Sequence, residues 1–263
     1  MKIISVVSAK GGVGKTTLSA NLCSALKKIG NDVLAVDLDP QNSLRLHFGI
    51  NPAQDHGVAT LQDDPIHWSD ILIEGQQGCL VLPFGTTTEY ERAVFEQQLH
   101  DDPCLLSDHL SSLGLDENTT VVIDTPPGPS IYLKQALSVA NVSVIVNLAD
   151  AASYATIPMI DGLISQFCQN RPDFICSFFV INQLDRSRKL ASDIADIMVM
   201  QFDKNNISII HQDQSIPEAL AFSKDTINFA PNCRGTHDFI DFSLKISNII
   251  NSNSLESNVE KSL

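Results

Sequence analysis

The chain has 263 residues, 43% of them hydrophobic, enough to bury a full core in one largish domain, which is expected to span 1–250. Lysine and arginine total 17 against 31 aspartates and glutamates, a formal net charge of −14, and so acidic a chain is a poor partner for DNA, whose binding rests on neutralising phosphates. Six cysteines (Cys23, Cys79, Cys104, Cys168, Cys176 and Cys233) stand singly with no C-x-x-C pair, which argues against a zinc site or disulfide framework and for the reduced thiols of a cytosolic protein. No window holds about eighteen uninterrupted apolar residues, so a soluble, unsecreted chain is expected.

In chain order the pattern predicts a strand over 2–8 (KIISVVS), a glycine-rich turn, a helix over 15–29 and a strand over 32–37 (DVLAVD). An irregular connection follows over 49–75, then a strand over 79–84 (CLVLPF), helices over 88–99 and 104–113, and a strand over 120–124 (TVVID). The remainder reads as helix 130–139, strand 142–148, helix 155–169, strand 175–182, helix 187–203, strand 207–211 and helix 236–250. A polar tail, 251–263, is expected to be disordered. The strands are continuous rather than alternating apolar runs, interleaved with helices. That pattern defines a doubly wound α/β fold, a mostly parallel sheet covered on both faces, with ligands expected at the carboxyl ends of the strands.

The turn after the first strand is "SAKGGVGKTT", Ser8 to Thr17. Glycines Gly11, Gly12 and Gly14 around Val13 let backbone N–H groups approach a phosphate, and the helix that begins near Lys15 adds the positive end of its dipole. Lys15 would reach the β- and γ-phosphates, and Thr16, followed by Thr17, would supply a hydroxyl to Mg²⁺. The pattern G-x-x-x-x-G-K-[ST] is broken because Ala9 stands at the first glycine; what remains is K-G-G-x-G-K-T-T, with a second lysine, Lys10, ahead of the glycines. Hydrolysis of a phosphoanhydride also needs carboxylates at neighbouring strand ends, and "VLAVDLDPQNS" (33–43) and "VVIDTPPG" (121–128) supply Asp37, Asp39 and Asp124.

These three motifs, in this order, resemble the deviant Walker A ATPases, the ParA/MinD group of P-loop proteins. The resemblance implies ATP and Mg²⁺ as cofactors and a homodimer with ATP sandwiched between subunits, in which Lys10 acts on the partner's nucleotide while Lys15 acts on its own. It implies that Asp39 orients or deprotonates the attacking water, that Asp37 and Asp124 sit around the hydrated metal, and that Asp39, Pro40 and Gly128 belong to the mobile switch segments. Asn182, at the end of "FFVINQLD" (178–185), is the family's adenine contact; Asn182 with Asp185 is also similar to a guanine-reading N-K-x-D motif, with Gln183 at the lysine position. His211 and Gln212 fall in the family's base-side loop, replacing a proline and an arginine.

Within that group, basic residues in the last third are few and spread (Lys204, Lys224, Arg234, Lys245), and 238–263 is not a basic amphipathic helix, so neither DNA binding nor direct membrane insertion is expected. Phrases such as "NSLRLHFGI", "VLPFGTTT" and "IHQDQSIPEALA" resemble the BcsQ branch, encoded with bacterial cellulose synthase. That resemblance implies a cytoplasmic ATP-binding dimer, recruited to the inner membrane through BcsR-like and BcsE-like subunits, that supports assembly or placement of the cellulose secretion machinery. The rivals are a DNA-partitioning ATPase and a nucleotide-stabilised scaffold with negligible hydrolysis.

Overall fold

The structure, a computed structural model, describes residues 1–60 and 67–260, and the side chains of all but the last eight of these. Strands β1 (Lys2–Val7), β2 (Val33–Asp37), β3 (Ile73–Glu74), β4 (Leu80–Leu82), β5 (Thr120–Asp124), β6 (Val142–Leu148), β7 (Cys176–Leu184) and β8 (Ile207–His211) form one sheet in the order β3-β4-β2-β5-β1-β6-β7-β8. Every neighbouring pair is parallel except β3–β4. The helices are α1 (Lys15–Lys28), α2 (Leu44–His47), α3 (Glu89–Asp101), α4 (Leu105–Ser112), α5 (Ile131–Val139), α6 (Ala151–Tyr154), α7 (Ile157–Phe167), α8 (Lys189–Gln201), α9 (Ser215–Ala221), α10 (Thr226–Phe229) and α11 (Arg234–Glu260).

Apolar residues occupy both faces of the central strands, and the helices divide accordingly. Ile4 and Val6 of β1 pack with Leu18 and Leu22 of α1 and Phe239 and Phe242 of α11 on one face. On the other, Ile3, Leu34 and Ile123 meet Phe95, Leu106 and Ala136 of α3 to α5, while Val7 and Ile145 meet Ile160 of α7 and Met198 of α8. Leu18, Leu22 and Phe242 are wholly buried, and each such side chain contributes about 1.5–3 kcal/mol relative to exposure. Helix starts follow local chemistry: Thr88 and Glu91 form a capping box at α3, and Ser130 accepts the Leu133 N–H (3.1 Å) at α5.

Two expectations are revised. The connection over 49–75 contains a 3₁₀ turn at Trp68–Ile71 and the two-residue β3, and its residues 61–66 lie outside the described residues. The last helix does not end at 250 but runs to Glu260, because 251–260 contains neither glycine nor proline to stop it; 261–263 lie outside the described residues. The edge strand β8 is covered from α11: the Lys245 ammonium donates to the Ile207 carbonyl (2.7 Å), and Asp238 accepts the His211 N–H (2.8 Å).

Directly behind the β2 loop, His47 of α2 is buried, and burial pulls its pKa down to about 4. The unfolded chain therefore takes up this proton near pH 6.5 while the folded chain refuses it until about 4, so stability is full above 6.5 and lost as pH falls between those values. The loss from this group is expected to reach about 3 kcal/mol by pH 4. His47→Leu should remove that component, seen as a wild-type minus variant unfolding free energy that declines between pH 6.5 and 4; a constant difference would refute it.

Candidate nucleotide-binding site

β1 lies between β5 and β6, and its carboxyl end opens into Ser8–Gly14 and then α1. Gly12 (φ 75°) and Gly14 (φ 84°) take the left-handed conformation, and Gly14 starts α1 with no side chain capping its N–H groups and no acidic residue in its first turn. Those amides are free to meet an anion. At Gly14 a side chain is excluded twice over, since a Cβ would lie 2.5 Å from Asn182 Nδ2 and 3.1 Å from Gln183 Nε2.

The carboxylates come from the parallel register of β2 and β5, which sets Asp37 level with Asp124. Asp124 is fully buried and accepts the hydroxyls of Thr16 (2.6 Å) and Ser19 (2.8 Å), so the first turns of α1 are tied to β5. Burial pushes its pKa up to about 6, against those hydrogen bonds and the Lys15 ammonium, which lower it. Asp37, also fully buried, is raised well above the usual carboxylate range by burial and then by Asp124, although it accepts the N–H groups of Asp39 (2.9 Å) and Leu44 (3.0 Å). Lys15 is 6% exposed; burial lowers its pKa, and the charges of Asp124 and Asp39 oppose that shift. Asp39 opens a turn with Pro40, its Oδ1 accepting the Gln41 N–H (2.9 Å) and its carbonyl the Asn42 N–H (2.8 Å).

This donor set fits Mg²⁺. Two buried carboxylates stand together with their charge only partly offset, and Thr16 turns its proton to Asp124, which leaves its oxygen lone pairs for a cation. Among the described residues no cluster of three or more His, Cys, Asp or Glu could hold a metal ion, so the ion must complete its shell from phosphate and water. Thr16, Asp37 and Asp124 would hold it, and when bound it would neutralise charge developing on a transferred phosphoryl group.

The other expected residues separate. After Asp124, Gly128 (φ 76°) donates its N–H to the Ser8 carbonyl (2.8 Å), docking the "TPPG" loop onto the phosphate loop. Lys10 reaches out to Asp150, 3.6 Å away, which also caps α6 through Ser153 N–H (2.7 Å). At 36% and 43% exposure the ion pair is worth about 0–1 kcal/mol and parks Lys10 without fixing it. On the far side, a cavity of about 470 Å³ is lined by Gly14, Thr17, Asn182, Gln183, Gln212, Asp213, Ile216 and Phe239, among others, and has the size of a nucleoside site. Asn182 donates Nδ2 to the Val13 carbonyl (2.8 Å), which leaves its carbonyl oxygen for a ligand. Gln183, in the left-handed region (φ 55°) at an irregularity in β7, is swung toward Gly14.

His211 is not in this wall: its ring pairs with Asp238 (2.9 Å), because β8 ends there and its side chain turns to α11. Asp185 is also elsewhere, bonded to the Ser187 N–H and hydroxyl and to Arg188, so no carboxylate from that motif reaches the base side. Sequence reasoning missed Ser19, which follows Lys15 by one helical turn and was readable from that spacing, and also Asp213; it named Gln183 only as the residue at a guanine-reading motif's lysine position, not as part of this wall.

A parallel sheet with a glycine loop at its central strand, uncapped helix and paired carboxylates defines a P-loop ATPase of the ParA/MinD type. The cell division ATPase MinD of Pyrococcus furiosus superposes with a TM-score of 0.74 at 25% identity, over 94% of this chain and 99% of that one. A plasmid partition protein of Borrelia burgdorferi bound to AMPPNP gives 0.73 at 21%, over 96% and 99%. The sequence model of the family "Cellulose biosynthesis protein BcsQ" matches residues 1–242, and the chain belongs to that family. It is 27% identical to BcsQ of Escherichia coli strain K12, over 84% of each chain. The chromosome-partitioning ATPase Soj of Thermus thermophilus is as near, at 29% over 90% of this chain and 91% of that one.

Gly14→Ala is expected to weaken nucleotide binding at least tenfold, because the new Cβ meets Asn182 and must break its bond to Val13. Titration with a fluorescent adenine nucleotide measures it, and wild-type affinity would rule out this packing as a determinant.

Proposed function

We propose that the chain binds ATP with Mg²⁺ and hydrolyses it slowly, that its ATP form is a two-fold homodimer with nucleotides between the subunits, and that this form supports assembly or placement of the bacterial cellulose secretion machinery. The observation that carries the reading is the different standing of the two lysines. Lys15 is enclosed beside Asp124 and Asp39, as a group serving its own phosphates must be, whereas Lys10 is half-exposed, weakly paired and able to serve another subunit. In this mechanism Lys15 and the α1 amides hold the phosphates, Thr16, Asp37 and Asp124 present oxygens to the metal, and Asp39 orients the attacking water. ATP favours the dimer because Lys10 gains a partner's phosphates, and hydrolysis withdraws that gain. The family match supports the cellulose role, with BcsR-like and BcsE-like subunits as partners that bring a cytoplasmic protein to the inner membrane. No helix among the described residues is long and apolar enough to cross a membrane.

A second reading, a partitioning ATPase, is favoured by the equal similarity to Soj. Against it, Arg186 and Arg188 are already paired with Asp196 and Asp185, and the chain carries −14 overall. Salt-sensitive DNA binding by the ATP form would decide for it.

Light scattering with ATP and with ADP tests the main reading. The wild type is expected to double its mass with ATP alone, Lys10→Ala to stay monomeric, and Asp39→Ala to keep the ATP dimer while turnover falls at least tenfold. A mass insensitive to nucleotide would overturn the switch and leave an interaction scaffold.

A further inference from the structure

The Asp124 carboxylate is held more firmly than the fold needs. Its strand lies between β1 and β2, its carbonyl accepts the Leu38 N–H (2.9 Å), and each carboxylate oxygen takes a separate hydroxyl: Thr16 on Oδ2 (2.6 Å) and Ser19 on Oδ1 (2.8 Å). Anchoring α1 to the sheet does not call for this pair. Leu18 and Leu22 already seat the helix on Ile4 and Val6, and an apolar side chain at 124 would avoid the cost of burying a charge.

The two donors stand three residues apart on one face of α1, and they differ in what they can reach. Thr16 is half-buried in the first turn beside the glycine loop, and its oxygen keeps lone pairs for a cation. Ser19 lies a turn deeper and is wholly buried, so its hydroxyl touches Asp124 and not the surface where an ion would arrive. A carboxylate held by one donor can turn about its Cβ–Cγ bond, a broad torsion, whereas donors on both oxygens fix its plane. The neighbouring charges work against that plane: Asp37 stands level across the β2–β5 register, and the Lys15 ammonium competes for the carboxylate. Without the Ser19 hydroxyl, Oδ1 is left buried with no donor, and turning the carboxylate is the relief open to it.

We propose that Ser19 is a positioning residue for the metal: its hydroxyl fixes the plane of the Asp124 carboxylate, so that Thr16, Asp37 and Asp124 present their oxygens to one Mg²⁺. The inference rests on the nucleotide-binding reading above and deepens it. Part of the affinity for the ion then comes from a side chain that never touches it.

The test is binding of a fluorescent, non-hydrolysable adenine nucleotide to the full chain, in EDTA and across a Mg²⁺ titration. Ser24 supplies the control, a buried serine of the same helix whose hydroxyl has no hydrogen-bond partner. Ser19→Ala is expected to raise the Mg²⁺ concentration at half of the metal-dependent change by roughly tenfold or more, the size of effect that follows loss of a group orienting a metal ligand. Its affinity in EDTA should stay within about twofold of wild type, because Lys15 and the α1 amides hold the phosphates without the ion. Ser24→Ala should match wild type in both measurements. An unchanged Mg²⁺ midpoint in Ser19→Ala overturns the proposal, and so does a loss of equal size in EDTA, which would mean a displaced helix. An equal shift in Ser24→Ala also overturns it, since any lost buried hydroxyl would then suffice. So does a wild type that binds nucleotide without regard to Mg²⁺. A wild type that binds no nucleotide sinks the reading on which the proposal rests, a result distinct from the others.

Discussion

Two buried carboxylates set side by side at the ends of parallel strands are the constraint around which this molecule is organised. Asp124 and Asp37 are brought level by the β2–β5 register, and burial raises the pKa of each. Such a pair is unfavourable for folding, and the structure offsets it locally with the hydroxyls of Thr16 and Ser19, the Lys15 ammonium and two backbone N–H groups. Those same bonds orient α1, and through α1 the glycine loop. The groups that make the carboxylates tolerable are therefore the groups that shape the glycine loop, the candidate phosphate site.

The rest of the sheet explains why the arrangement can be sustained. Apolar side chains on both faces of β1, β5 and β6 close over the interior, so the cost at the carboxyl end is set against a large buried core. The segments at that end are anchored unequally: the Asp39 turn is tied to Asp37 and Asp124, the loop through Gly128 is held by the Thr125 hydroxyl on the Val6 carbonyl and by the Gly128 N–H on Ser8, and the Lys10 side chain is held by one exposed ion pair.

Much of this was legible in the amino-acid sequence. Continuous β-branched runs separated by helical spacing placed seven strands within a residue or two of their observed ends, because fully buried parallel strands admit little else. β3 was invisible because two residues carry no period, and the short helices α2, α6, α9 and α10 because four to seven residues show too little of one. The phosphate loop and its carboxylates were legible because their chemistry is local. The base side was only half so: Asn182 follows from its strand end, but the pairing of His211 with Asp238 spans 27 residues, and the left-handed turn at Gln183 depends on an irregular pairing with β8. Neither has a sequence signal.

The covering of β8 has a consequence for how copies of this chain can meet. With the Ile207 carbonyl taken by Lys245 and the His211 N–H by Asp238, and with the opposite edge formed by a two-residue strand, neither border of the sheet offers a ladder long enough to recruit another strand. Edge-to-edge growth into ribbons or fibres is thereby disfavoured, and copies of this chain that associate must do so through side chains and loops instead of a shared sheet.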